Sequence, residues 1–182
     1  MIAGEISKLA VSWDIVEVID GWIFGHFLLH IDGNTIGDST DFSVDLNGCL
    51  RWIKDFGTSK MDRYEPGLFE MDKETLFTRL ASSVLVSEDP ECSVPEVYKN
   101  TFSRFHISQI GMSSFDNVTL LLVKDEIGRE RCVWKTGNGS VMEAYFEADV
   151  LECVLSDVST ALHDAFAPIA PLAPRNCQNA PP

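Results

Sequence analysis

The residues best equipped for chemistry in this 182-residue chain are its four histidines, His26, His30, His106 and His163, set among an excess of carboxylates. His26 and His30 have the i, i+4 spacing of a helical zinc pair, but no glutamate follows the first histidine and the segment alternates like a strand. On a strand the two rings share a face about 13 Å apart, at ~3.3 Å per residue, which is too far for one metal ion. His106 precedes Ser108 by two and His163 precedes Asp164 by one, yet neither sits in a nucleophile motif and Gly-x-Ser-x-Gly does not occur. A small enzyme whose histidine and carboxylate converge only in three dimensions stays open at this level. Gly137-Asn138-Gly139 lacks the lysine of a phosphate-binding loop and reads as a hairpin turn. Phe102, Arg104 and Phe105 interleave aromatic and basic side chains as a nucleic-acid module does, but with a single arginine. No metal and no cofactor is implied.

The elements that must position these residues follow from the hydrophobic period. Val11, Trp13, Ile15 and Ile19 share one face of a strand. Asp20-Gly21 turns, and Trp22 to Ile31 returns to close a hairpin. Asp32-Gly33-Asn34 marks a second tight turn before Thr35-Ile36. The period then changes. Leu46, Cys49, Leu50, Ile53 and Phe56 recur at three and four, with Gly57 placed to end the helix. A second helix is capped by Asp72 and carries its stripe on Leu76, Phe77, Leu80, Ala81, Val84 and Leu85. Residues 87–97 hold Pro90, Pro95 and four acids without a base, and read as a loop. Residues 102–110 alternate like a further strand. Val118–Lys124, Glu130–Lys135 and Val141–Phe146, joined by two short turns, predict three antiparallel strands. A last helix follows, whose apolar positions Val150, Leu151, Val154, Leu155, Val158, Ala161, Leu162, Ala165 and Phe166 keep one face over about four turns. The fold class is therefore α+β, mainly antiparallel sheet with about three amphipathic helices packed on it. One domain covers residues 1–166. Residues 167–182 hold five of the eight prolines and read as a flexible tail.

The charge narrows the classes of partner. The net charge is -14, from 28 acids and 14 Lys and Arg, divided as -5, -4 and -5 over residues 1–60, 61–110 and 111–182. Such a chain is a poor direct ligand for nucleic acid or an anionic membrane; the acidity either simply keeps the protein soluble or suits a basic protein partner. No apolar run approaches the roughly 20 residues that a membrane span requires. The first residues lack a signal-peptide pattern, so the expected compartment is the cytoplasm. Five scattered cysteines without Cys-x-x-Cys fit reduced thiols, four of them buried and Cys177 exposed.

Two stretches carry a family pattern. One runs from Gly25-His26-Phe27 through Ile31-Asp32-Gly33-Asn34-Thr35-Ile36-Gly37-Asp38. The other is Asp125-Glu126-Ile127-Gly128-Arg129-Glu130-Arg131-Cys132-Val133-Trp134, followed by the strand bearing Glu143 and the helix after Phe146. With the Met-Ile-x-Gly start, residues 1–166 resemble immunity protein family 42 of bacterial polymorphic-toxin and contact-dependent inhibition systems. Glu5 stands where that family usually has aspartate, and the Pro-rich tail lies outside the pattern. The resemblance implies a non-catalytic cytoplasmic antidote that binds and neutralises the toxic C-terminal domain of a partner effector, for which a basic nuclease would suit the charge. The alternatives are the small enzyme above and a housekeeping interaction module. Binding residues are expected on loops held by a rigid scaffold. The first candidates are Glu88, Asp89, Glu91 and Glu96, and the second set is Asp38, Asp41 and Asp45. The oligomeric state is left open.

Overall fold

The computed structural model describes residues 1–58, 63–81 and 101–167. The acidic loop 87–97 and the tail from residue 168 onward therefore lie outside the described residues. The chain opens with a meander of β1 (Ile2–Glu5), β2 (Leu9–Ile19), β3 (Trp22–Ile31) and β4 (Asn34–Ile36), all antiparallel, with the short β5 (Val44–Asp45) pairing on β3. Next come α1 (Leu46–Thr58), α2 (Lys73–Ala81) and two 3-10 segments, Thr101–Phe105 and Ser108–Phe115. The second sheet is β6 (Val118–Lys124), β7 (Glu130–Thr136) and β8 (Met142–Phe146), and α3 (Val150–Phe166) closes the domain. The α+β class holds, and the described residues contain three α-helices.

Burial explains the arrangement. α1 turns Leu46, Cys49, Leu50, Ile53 and Phe56 inward, and α3 does the same with Leu151, Leu155, Val158, Leu162 and Phe166. Both stripes enter one core with Val11, Trp13, Phe27 and Leu29 of the first sheet and Leu120, Leu122, Cys132 and Trp134 of the second. α3 packs on α1 and also reaches β1 and β2, so the last helix covers the first strands. The opposite face of the second sheet, with Leu121, Val123 and Val133, forms a smaller core with Leu68, Phe69, Leu76, Leu80 and Phe105. The second sheet is thus buried on both faces, which is why β6 reads as a near-continuous apolar run and why even Glu130 and Arg131 of β7 are buried.

Three expectations need correction. Residues 102–110 are not a strand. Phe105, Ile107 and Ile110 are all buried, and the segment joins the sheet only through the single bridge of His106 to Leu121 and the bonds Ile107 N–H to Leu120 O (2.9 Å) and Leu120 N–H to Ser108 Oγ (2.7 Å). Phe105 lies in the smaller core while Ile107 and Ile110 lie in the larger, so a twisting 3-10 path serves both cores where a flat strand would serve one. Arg104 pairs with Glu65 (2.7 Å) and stacks on the buried Phe105, so this cluster is packing. Ile19, expected on the same face as Val11 and Trp13, lies on the other and is 48% exposed, because a bulge between Ile15 and Glu17 breaks the alternation of β2. Cys153 is exposed, off the α3 stripe, whereas Cys49 and Cys132 are buried and burial pushes both thiols far up.

The familiar sequence patterns turn out to be architectural. Ile31 and Ile36 are buried, and Gly37 adopts φ +112° where a Cβ would lie 2.7 Å from Ser114 Oγ. Asp38 N–H then donates to Ser114 O (2.9 Å), and Ser114 Oγ donates to Phe27 O (3.0 Å), which locks the meander to the 3-10 segment. In the second pattern Arg131 is 2% exposed and donates to Phe69 O (2.6 Å), Met71 O (2.7 Å) and Glu143 Oε2 (2.6 Å). Glu130 is wholly buried. Its Oε2 accepts Leu151 N–H (2.8 Å), which caps α3 from a neighbouring strand, and its Oε1 lies 3.3 Å from Lys124 Nζ. Lys124 Nζ also reaches Glu152 (2.6 Å) and Asp149 (3.4 Å). Burial, and then the hydrogen bond with Glu152, push the Glu130 carboxyl up to about 8, while the bonds from Glu130 and Lys124 outweigh burial and carry Glu152 down.

Candidate functional site

The histidines separate on inspection. His30 is buried between Ser12 Oγ (2.8 Å) and Thr35 Oγ1 (3.1 Å), and burial holds its pKa below the usual value. His106 is likewise depressed by burial. His26 is the one that meets a carboxylate, with Nδ1 2.7 Å from Asp14 Oδ1. That pair lines a shallow depression of about 330 Å³ with Ser12, Trp13, Leu28 and Ser39. Among the described residues no hydroxyl is hydrogen-bonded to the other ring nitrogen of His26, and no cluster of three metal-ligating side chains occurs.

The outer face of the β2–β3 hairpin carries more than this dyad. Glu17 pairs across from Phe24 and Ile19 from Trp22, so these four side chains share the face that holds Asp14 and His26. Gly25 permits the tight pairing beside the bulge, since a Cβ there would stand 1.8 Å from Asp14 O. Trp22 is 48% exposed, whereas Trp13 and Trp134 are core residues and Trp52 stacks on Phe56. Val16 and Val18 are also exposed, so the hairpin tip is apolar on both sides. Beyond Trp13 the outer edge of β2 pairs with no strand among the described residues.

The second set of sequence candidates lies beside this face. Asp41 is close enough for the charge of His26 to act on it. Its Oδ2 accepts from Ser113 Oγ (2.7 Å) and its Oδ1 from Ser43, and these bonds, against slight burial, hold it ionised. Asp38 accepts from the Thr40 hydroxyl (2.7 Å) and backbone (2.8 Å) and is held low by them. Asp45 serves otherwise: its Oδ1 accepts Gly48 N–H (2.9 Å) and caps α1. Phe42, beside Asp41, is 63% exposed. From residue 9 to residue 50 the chain carries seven acids, Asp14, Glu17, Asp20, Asp32, Asp38, Asp41 and Asp45, and no Lys or Arg. Thirds of the chain average this asymmetry away, which is why it does not show in a coarse division of charge. The exposed aromatics escape sequence reading for another reason: a strand pattern assigns faces but does not say which face is left uncovered. Glu88, Asp89, Glu91 and Glu96 fall outside the described residues.

Known proteins agree with the fold. The crystal structure of a CdiI from Burkholderia dolosa AUO158 superposes with a TM-score of 0.72, covering 88% of this chain and 99% of that one at 16% identity. No curated protein matches the sequence. A family model, Immunity protein 42, matches residues 1–161. The two stretches that resemble that family, which build the locks around Gly37 and Arg131, fall within the matched residues, and the chain belongs to the immunity protein 42 family.

Proposed function

We propose that this protein acts by occupancy: it binds the toxic C-terminal domain of a partner effector in the cytoplasm and neutralises it without catalysing a reaction. The match of the family model to residues 1–161 carries the reading. The resemblance in fold to a CdiI and the net charge of -14 support it. The toxin class that this charge fits best is a basic nuclease domain, because an acidic surface accelerates encounter with a cationic protein and competes with the phosphates of its substrate. Asp38 and Asp41, held ionised on the surface, supply part of that field, and we assign the same role to Glu88, Asp89, Glu91 and Glu96.

The test is co-expression with the C-terminal domain of the effector encoded immediately upstream. Growth should be restored, and the purified pair should form a complex of fixed stoichiometry by light scattering. A chain that neither protects nor binds would overturn the antidote reading. The Asp14–His26 pair favours one second reading, a hydrolytic one. His26→Ala separates the two: under occupancy it still protects, whereas lost protection with binding intact would point to chemistry.

A further inference from the structure

We propose that the exposed end of the β2–β3 hairpin is the docking face for the toxin domain, with Trp22 and Ile19 as its apolar centre and Asp14, Glu17, Asp20 and Asp41 as its acidic rim. The inference rests on the antidote reading and names the surface that performs it.

Large apolar side chains gathered at one uncovered place need an explanation. Ile19, Trp22, Val16 and Val18 are each between 43% and 50% exposed at the end of a single hairpin whose inner face, with Val11, Trp13, Ile23, Phe27 and Leu29, is core. The tip is held firmly. Ile23 is buried and its N–H donates to Asn47 Oδ1 (2.8 Å), so α1 anchors β3 directly behind the exposed residues. Side chains on a rigid strand pair lose little entropy when a partner covers them, and tryptophan is among the residues that dominate binding energy at interface centres.

The charge selects the occupant. The segment from residue 9 to residue 50 has seven acids and neither Lys nor Arg, so two copies of this face would set acid against acid. Nucleic acid and anionic lipid are disfavoured for the same reason. What fits is a protein surface with an apolar patch ringed by Lys and Arg, and an arginine there would also find the face of the Trp22 indole.

The experiment measures binding kinetics to the upstream-encoded toxin domain for the parent chain, Trp22→Ala and Glu17→Lys, with circular dichroism melts confirming that the exposed substitutions leave the fold intact. Trp22→Ala should weaken binding by about tenfold or more, chiefly through faster dissociation. Glu17→Lys should slow association, and the slowing should shrink as salt is raised. Parent binding with both variants unchanged overturns this face while leaving the antidote reading standing. No binding by the parent overturns both. A free chain that sediments as a dimer, and as a monomer once Trp22 is replaced, assigns the face to a second copy and overturns the proposal.

Discussion

Glu130→Gln tests whether the buried carboxyl that caps α3 holds a proton in the folded protein. The parent side chain is wholly buried, accepts Leu151 N–H at the start of α3 and faces Lys124 Nζ on β6 and Glu152 on α3, with the charge of Arg63 also acting on it. A carboxyl pushed up from 4.5 to about 8 is protonated in the fold and ionised in the unfolded chain between those values. Across that window the folded state binds more protons, so this group's contribution to stability is fully present below about pH 4.5 and is lost as pH rises towards 8. At about 1.4 kcal/mol per pH unit the loss reaches on the order of several kcal/mol at the top of the window, a large part of a typical domain's stability. Glutamine keeps the acceptor for Leu151 N–H and offers an amide donor to Glu152, but it does not titrate. Urea unfolding at pH 5 to 9 should therefore show the variant gaining on the parent steadily as pH rises, ahead by a few kcal/mol at pH 8. His30 and His106, whose pKa values are depressed, oppose the parent's decline below pH 6.5 but cancel in the difference. Parallel curves, or a parent that overtakes the variant with rising pH, would refute the shared-proton arrangement.

The remaining predictions concern packing and thiols. Arg131→Met should cost about 3–5 kcal/mol, because it strips the carbonyls of Phe69 and Met71 of this donor and leaves Glu143 without its cation, and denaturant titration at pH 7 measures it. Leu155→Ala and Leu162→Ala, at 2% and 0% exposure, should each cost about 2–5 kcal/mol by the same titration, and a loss under about 0.5 kcal/mol would place the α3 stripe in solvent. Among the described cysteines, a thiol reagent should modify Cys153 promptly and Cys49 and Cys132 only at the unfolding rate, as mass spectrometry of timed samples would show.

How legible the molecule is from its sequence varies with the range of the determining forces. β3 and β6 occupy the expected residues and α3 begins and ends where its stripe does, because alternation, turn glycines and a 3.6-residue period are local signals. Asp72 was legible as a cap, and its Oδ1 accepts Glu74 and Thr75 N–H at 3.1 Å. The 3-10 path at 101–115 was not, since it depends on two cores that no local window contains. The bulge at Val16 escaped for the same reason: it inserts one residue between two strands whose separate patterns look regular. The candidate face was half legible. Its acids were visible as charge, but the exposure of Trp22 and Phe42 depends on what does not pack over them.

The position of α3 also bears on time. The helix that covers β1 and β2 begins at Val150, whereas β1 begins at Ile2, so these strands wait for a helix translated nearly 150 residues after them. At ~5–20 residues per second, nearly 150 residues take roughly 8 to 30 s, during which Val11, Phe27 and Leu29 have no α3 stripe to meet. A cell that carries both a toxin and this antidote is therefore protected by a standing stock of finished chains rather than by those still on the ribosome.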